Sequence, residues 1–225
     1  CPVTELALEK VISLCSGGDP SLFTCDPTCG VQVLSPTKKG PLGVKNLNVR
    51  LQAALNPKEP HKAEREFGEV IFREGDKVMQ IKNDYRMEWM RTGKSGVPEL
   101  GLGVYNGDLG TIYRMDMAEQ TLDVLFDDER MASYTFSQLD ELDLAYCISI
   151  HKSQGSEFPI VILPLFSGPP LLMTRNLLYT AVTRARRQVL IVGRWDSVLQ
   201  MVENKRMRRR YSAMGVRMAE LAPLL

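Results

Sequence analysis

Three short runs of almost uninterrupted apolar residues lie in the last third of the chain, at 145–150, 160–163 and 188–192. Runs of this length without polar alternation are typical of strands buried on both faces of a parallel sheet. Between the second and third runs, residues 176–186 carry apolar side chains at helical spacing. Strand–helix–strand order of this kind predicts an α/β sheet.

The rest of the chain adds two more helices and a β-rich middle. Helices are predicted over 4–15 and 44–55, with a strand over 31–34 between them. Short candidate strands with turns between them then follow, at 70–72, 77–81, 110–115, 121–126 and 131–136. We therefore predict a discontinuous α/β domain, residues 1–105 and 143–225, interrupted by a small β-barrel at 106–142.

Composition narrows the class of protein. The 225 residues carry a formal net charge of +1, so nucleic-acid binding would have to come from local patches. No apolar run approaches the roughly 20 residues that cross a bilayer, and the first residues lack the basic start of a signal peptide. We expect a cytoplasmic protein that contacts no membrane. Cys25 and Cys29 could form half of a zinc site, but no second pair has matching spacing, so no metal site is predicted.

A polar segment at 150–158 joins two of the apolar strands. Its side chains are expected at a strand end, where open α/β sheets bind ligands. Four residues could turn backbone N–H groups toward a phosphate, namely Ser153, Gln154, Gly155 and Ser156. Glu157 is a carboxylate of the kind that binds ribose hydroxyls. The same composition also fits an ordinary polar loop, because Gly and Ser are common in loops.

An apolar helix ends in three arginines, Arg184, Arg186 and Arg187. Arg186 and Arg187 fit a general preference for basic residues at helix C-termini. Arg184 directly follows the apolar face, where a fixed position at the sheet edge is plausible. An arginine held there could reach the γ-phosphate of a nucleotide bound by another lobe.

These segments resemble motifs of a known family. IHKSQGSEF at 150–158 and LLYTAVTRARR at 177–187 look like motifs V and VI of superfamily-one helicases. Together with VQVLSPTKKGPLG at 31–43, FREGDKVMQIKNDY at 72–85 and VYNGDLG at 104–110, they resemble the RecD/TraA family, which includes the exodeoxyribonuclease V alpha subunit.

The resemblance implies a RecA-like second motor lobe of the P-loop NTPase type, with an inserted β-barrel of the Src-homology type. It also implies ATP-driven 5′-to-3′ movement along single-stranded DNA. Arg184 would be the arginine finger and Glu157 the ribose contact, while Gly155, beside Gln154, would approach the phosphates. Lys39 matches a basic position of motif IV, and His151 and Ser153 would contact the DNA backbone.

The sequence contains no Gly-x-x-x-x-Gly-Lys-Ser/Thr loop, and its first part contains no apolar strand ending in paired acids. The resemblance implies that ATP and Mg²⁺ are held mainly by a first RecA-like lobe of a longer polypeptide, and we expect these residues alone to have no ATPase activity. Nuclease or helicase subunits are further candidate partners. A non-catalytic nucleic-acid or partner-binding module and the helicase half of a conjugative relaxase remain alternatives.

Basic and aromatic residues elsewhere could also grip DNA. Lys38 belongs to a positively charged cluster in the first third, which fits either DNA contact or a solvated helix face. Asn83 and Tyr85 could line a groove for single-stranded DNA, with Tyr85 as a stacking platform. Tyr85 could equally belong to the barrel core. The basic run at 205–210 fits a charged helix or a DNA contact.

Overall fold

A four-stranded, a seven-stranded and a two-stranded sheet form the framework of the computed structural model, which describes residues 2–24, 30–93, 96–166 and 168–205. The first part contains α1 (Pro2–Cys15), β1 (Val31–Ser35) and α2 (Val44–Leu55). The middle contains β2 (Glu64–Phe67), β3 (Val70–Arg73), β4 (Lys77–Gln80), β5 (Asp84–Thr92), β6 (Pro98–Val104), β7 (Leu109–Asp116), β8 (Thr121–Phe126), β9 (Met131–Thr135) and β10 (Leu142–Leu144). The last part contains β11 (Cys147–Ser149), β12 (Phe158–Leu165), α3 (Arg175–Val182), β13 (Ala185–Gly193) and α4 (Trp195–Glu203).

The parallel sheet has the order β11–β1–β12–β13, and helices cover both of its faces. Neighbouring residues of one strand point to opposite sides, so Val33 packs with the α1 and α2 core while Leu34 packs with the α3 and α4 core. This burial on both faces explains why the strands read as continuous apolar runs. The sheet and its four helices are called the lobe below, and the predicted α/β architecture is confirmed.

The middle strands form a seven-stranded antiparallel sheet in the order β10–β4–β7–β8–β9–β5–β6, with β2 and β3 paired beside it. Hydrogen bonding thus joins β4 and β5 to strands inside the predicted 106–142 segment, and β6 to β5. We propose residues 64–144 as the inserted unit, called the β-rich unit below. The hairpin of β5 and β6 escaped sequence prediction because most of its residues are exposed, so alternating burial is limited to a short stretch around Met87 and Trp89.

Helix α3 is shorter than predicted, since it ends at Val182 rather than at residue 186. The Thr183 hydroxyl lies within hydrogen-bonding distance of the Tyr179 and Thr180 carbonyls, at 2.9 and 3.1 Å. The backbone then enters β13, where the Arg184 carbonyl accepts a hydrogen bond from Phe158 N–H. Pairing with β12 therefore ends the helix, and Arg184 lies in the turn between α3 and β13 instead of on a helix face.

Of the helices in the described residues, none is both long and apolar enough to pass through a membrane. Cys25, Cys29 and the basic residues 206–210 lie outside the described residues.

Candidate functional site

The polar segment between β11 and β12 runs from the carboxyl ends of the parallel strands back to their amino ends. These two ends of the sheet are called the carboxyl edge and the amino edge below. Ser149 at the end of β11 pairs with Ser35 at the carboxyl end of β1. Phe158 at the start of β12 pairs with Ala185 at the amino end of β13. The prediction that all the polar side chains of 150–157 gather at one strand end was wrong, because the structure divides them between the two edges.

At the carboxyl edge the segment forms a tight turn. The N–H groups of Lys152 and Ser153 both donate to the Ser149 carbonyl, at 2.9 and 3.1 Å, and the Ser153 hydroxyl donates to the Ile150 carbonyl at 2.8 Å. Ser153 is fully buried, so its hydroxyl stabilises the turn and has no exposed surface for DNA. His151 is exposed at this edge.

Lys152, which sequence analysis missed, is half-buried beside His151 and lines a cavity of about 150 Å³ together with Lys38, Ser149 and Asp143. Burial lowers the pKa of Lys152, Asp143 partly offsets that effect, and the positive charge of Lys38 adds to it. Within the described residues, neither ammonium group has a hydrogen-bond or ion-pair partner. Two cations facing one small cavity favour an anion between them. The signal available in the sequence was a lysine two residues after the predicted buried strand at 145–150.

The structure separates Lys39 from the other residues predicted to bind nucleotide. Lys39 is exposed in the loop after the carboxyl end of β1, where its charge helps Lys45 to lower the pKa of Glu69. Glu157 and Arg184 lie at the opposite, amino edge of the sheet. Lys38 and Lys39 are therefore grouped with the carboxyl edge.

At the amino edge, the Arg184 guanidinium is half-buried against its own lobe. It donates to the Ser156 carbonyl at 3.0 Å, to the Thr180 carbonyl at 3.2 Å and to the Thr183 hydroxyl at 3.4 Å. These contacts place the side chain on the same side as the Gln154–Gly155 turn. A guanidinium has further N–H donors beyond the three used here, so Arg184 is fixed and still able to bind an anion.

Gly155 and Glu157 flank the Ser156 carbonyl that Arg184 contacts. Gly155 has φ +91°, a left-handed conformation that favours glycine, and the space that a Cβ atom would occupy there is open. Glu157 is exposed and accepts a hydrogen bond from Arg186 at 2.9 Å through one carboxylate oxygen, which leaves the other oxygen for a hydroxyl donor.

Fewer backbone N–H groups of residues 153–156 are available to bind a phosphate than the sequence predicted. The N–H groups of Gln154 and Ser156 donate within the turn, to the His151 and Ser153 carbonyls at 3.4 and 3.1 Å. The N–H of Gly155 has no acceptor in the described part of the chain. This N–H, the free oxygen of Glu157 and the Arg184 guanidinium therefore form a group that fits a phosphate and a sugar hydroxyl. The described residues contain no cluster of three or more metal-binding side chains.

A second exposed surface lies on the β-rich unit. Tyr85 is 66% exposed, so the alternative that it belongs to the core is wrong. Its ring meets that of Tyr105 edge to face at 5.8 Å, and its hydroxyl accepts a hydrogen bond from the Asn83 amide at 3.2 Å. The Asn83 oxygen accepts the Asn106 N–H at 2.8 Å. Tyr105, which sequence analysis missed, therefore completes a fixed aromatic surface.

Comparison with known proteins gives two family matches. Residues 47–126 match a model described as the ATP-dependent RecD-like DNA helicase SH3 domain, and residues 144–192 match the UvrD-like helicase C-terminal domain. The chain is 38% identical over 163 residues to the ATP-dependent RecD2 DNA helicase of Deinococcus radiodurans, which covers 72% of this chain and 20% of that protein.

It is also 30% identical over 209 residues to the RecBCD enzyme subunit RecD of Mycobacterium tuberculosis, which covers 92% of this chain and 31% of that subunit. The chain thus spans less than a third of either relative. Among solved structures, Pif1 helicase from Bacteroides in complex with ADP-AlF3 and ssDNA has a TM-score of 0.50 at 16% identity, over 99% of this chain and 54% of that one. This likeness shows the shared fold alone.

Proposed function

We propose that this chain, which belongs to the RecD-like superfamily-one DNA helicases and forms part of their C-terminal region, acts as the second motor lobe of an ATP-dependent helicase that moves 5′-to-3′ on single-stranded DNA. The observation that carries the proposal is the position of Arg184. Its guanidinium is held by the Ser156 carbonyl at 3.0 Å, beside the turn that contains Gly155.

Each residue of the amino edge has a role that follows from its contacts. When bound, ATP supplies the phosphoryl group whose transfer to water drives movement. Arg184 would place positive charge toward that group once the first lobe closes on this one, and Gly155 N–H would donate to a phosphate oxygen. The free carboxylate oxygen of Glu157 would accept a hydrogen bond from the ribose. The first lobe, together with Mg²⁺ bound there, would hold the phosphates.

The carboxyl edge and the β-rich unit would bind DNA. Lys38, His151 and Lys152 would contact the phosphate backbone, because two ammonium groups without partners in the described residues and an exposed imidazole face the same edge. Tyr85 and Tyr105 would stack on bases, since both rings are exposed and held by neighbouring side chains. Nucleotide and DNA would thus occupy opposite edges of one sheet.

Substitution of Arg184 in the full-length polypeptide tests this proposal. We expect Arg184→Ala to lower ATP turnover by roughly 10³–10⁵, the range found for arginine fingers, and to leave single-strand affinity nearly unchanged. Arg187→Ala is the matched control, because Arg187 belongs to the same basic run and is exposed. An Arg184→Ala protein whose DNA affinity falls as far as its turnover would disprove the assignment.

A nucleotide-independent binding module is the second candidate, and the DNA-binding surface described above favours it, because that surface needs no Arg184. In such a module ATP analogues would leave single-strand affinity unchanged. In a motor lobe they would change it, since closure of the first lobe on this one alters the DNA path. The 225-residue chain without a first lobe should show no ATPase activity under either proposal.

A further inference from the structure

The chain passes between the lobe and the β-rich unit twice. The first crossing leaves α2 at Asn56 and reaches β2 at Glu64, and the second runs through Ala145 and Tyr146 between β10 and β11. Both crossings are held by buried polar side chains rather than by apolar contacts alone. Such groups are costly to bury unless each finds a hydrogen-bonding partner.

Three buried amides, called the amide stripe below, follow one another at every fourth residue: Asn48 and Gln52 on α2, and Asn56 directly after its last residue. The spacing of Asn48 and Gln52 places them on one face of the helix, and Asn56 continues the row at its end. Asn48 binds the second crossing, because its amide donates to the Leu144 and Cys147 carbonyls at 2.8 and 3.0 Å and its oxygen accepts the Cys147 N–H at 2.7 Å.

A second lobe element binds the same crossing. The Gln32 amide on β1 is buried and donates to the Ala145 and Tyr146 carbonyls at 3.0 and 3.2 Å. The second crossing is therefore bonded by side chains from both β1 and α2. A short peptide link that needed only to pass from one sheet to the next would not require these contacts.

Asp76, at the turn before β4, contacts the other two amides of this row, Gln52 and Asn56. It is fully buried, and each carboxylate oxygen accepts two hydrogen bonds. One oxygen accepts from Asn56 at 2.7 Å and from the Tyr146 hydroxyl at 2.9 Å. The other accepts from Gln52 at 2.6 Å and from the Arg73 N–H at 2.7 Å. One carboxylate thus joins α2, the second crossing and the β-rich unit.

We propose that the amide stripe of α2 and the carboxylate of Asp76 form a joint that makes the lobe and the β-rich unit a single cooperative body. The joint fixes the separation between the Lys152 cavity and the Tyr85 surface, so that both follow the lobe when it moves. The contacts that form the joint involve neither nucleotide nor DNA. A test of the joint is therefore independent of a test of the helicase proposal.

Unfolding of the 225-residue chain in urea tests the joint directly. Pulsed hydrogen–deuterium exchange with mass spectrometry follows peptides from β12 for the lobe and from β8 for the β-rich unit. In the unmodified chain we expect both sets to lose protection at the same urea concentration. Asp76→Asn replaces one acceptor oxygen with an NH₂ group that faces donors, and it should separate the two transitions.

Tyr146→Phe removes one donor of the joint without placing a new group in it, and it should separate the transitions to a smaller extent. Asp123→Asn is the matched control, because the Asp123 carboxylate accepts from Ser133 within the β-rich unit, at 2.5 Å, and lies outside the joint. If Tyr146→Phe and Asp76→Asn lower both midpoints equally, these residues only stabilise the fold and the joint is disproved. Should Asp76→Asn fail to fold, coincident transitions in Tyr146→Phe alone would disprove the joint.

Discussion

Replacing Asn48 by alanine should remove more stability than its small volume suggests. The change deletes three hydrogen bonds to the second crossing and leaves the buried N–H of Cys147 without its acceptor. An orphaned buried polar group costs about 1–3 kcal/mol, and the Leu144 and Cys147 carbonyls also lose the Asn48 amide as their donor. We therefore expect the free energy of unfolding to fall by about 2–4 kcal/mol, out of a total of about 5–15 kcal/mol for a typical domain.

The assay is urea denaturation followed by circular dichroism, with the slope of the transition compared between variants. Asn46→Ala is the control, since Asn46 lies on the same helix and its side chain donates to the Pro41 carbonyl near the surface, at 2.6 Å. The gain in helix propensity from alanine is then similar in both variants. If Asn48→Ala costs no more stability than Asn46→Ala, the account of the second crossing is wrong.

Three further outcomes are expected for the residues proposed to bind DNA and for the core. In the full-length polypeptide, Lys152→Ala should reduce the slope of log affinity for single-stranded DNA against log salt by about 0.7, whereas Lys58→Ala, at an exposed ion pair with Glu64, should leave it unchanged. Tyr85→Ala should weaken single-strand binding by about 1–3 kcal/mol. The same change should alter the free energy of unfolding by less than about 0.5 kcal/mol, and a larger loss would mean that the ring supports the fold. Burial raises the pKa of the Cys15 thiol to about 12 and that of Cys147 well above its ordinary value. In a variant whose other cysteines are serine, both thiols should resist a disulfide reagent at about pH 8 in the native state and react in urea, and rapid native labelling would contradict their burial.

The sequence predicts the lobe well because its strands and helices leave strong, regular patterns. The run at 160–163 and the helix at 44–55 both have neighbours that bury them. The short, uninterrupted apolar run therefore indicates a strand, and the helical spacing of apolar residues at 44–55 indicates a helix. In the β5–β6 hairpin only a few residues, among them Met87 and Val104, are buried against the core, and most of the others are exposed, so the pattern that would reveal both strands is missing. The predicted end of helix α3 is wrong for a different reason: the final residues of the predicted helix have helical spacing in the sequence but lead into a strand that pairs with β12.

The sequence indicates the residue types of the candidate site, such as Gly155, Glu157 and Arg184, but not how they are arranged in space. The 150–157 segment gives no sign that it crosses the sheet, because that path depends on the register of β11 and β12 with β1. The sequence indicates Ser153 as a DNA contact although its hydroxyl serves the turn, and it gives only a weak signal for Lys152 beside it. Burial of a single side chain in a tight turn depends on tertiary packing, which sequence spacing does not report.

The central claim is that Arg184 acts on a nucleotide held by another lobe, and affinity for a transition-state mimic tests it most directly. In the full-length polypeptide, binding of ADP with aluminium fluoride is compared with binding of ADP alone, for the unmodified protein, Arg184→Ala and Arg187→Ala. We predict that Arg184→Ala alone loses the additional affinity for the fluoride complex while its ADP affinity is retained, because the guanidinium binds charge that develops at the γ position. Equal losses for both ligands, or full retention of the additional affinity in Arg184→Ala, would contradict the assignment.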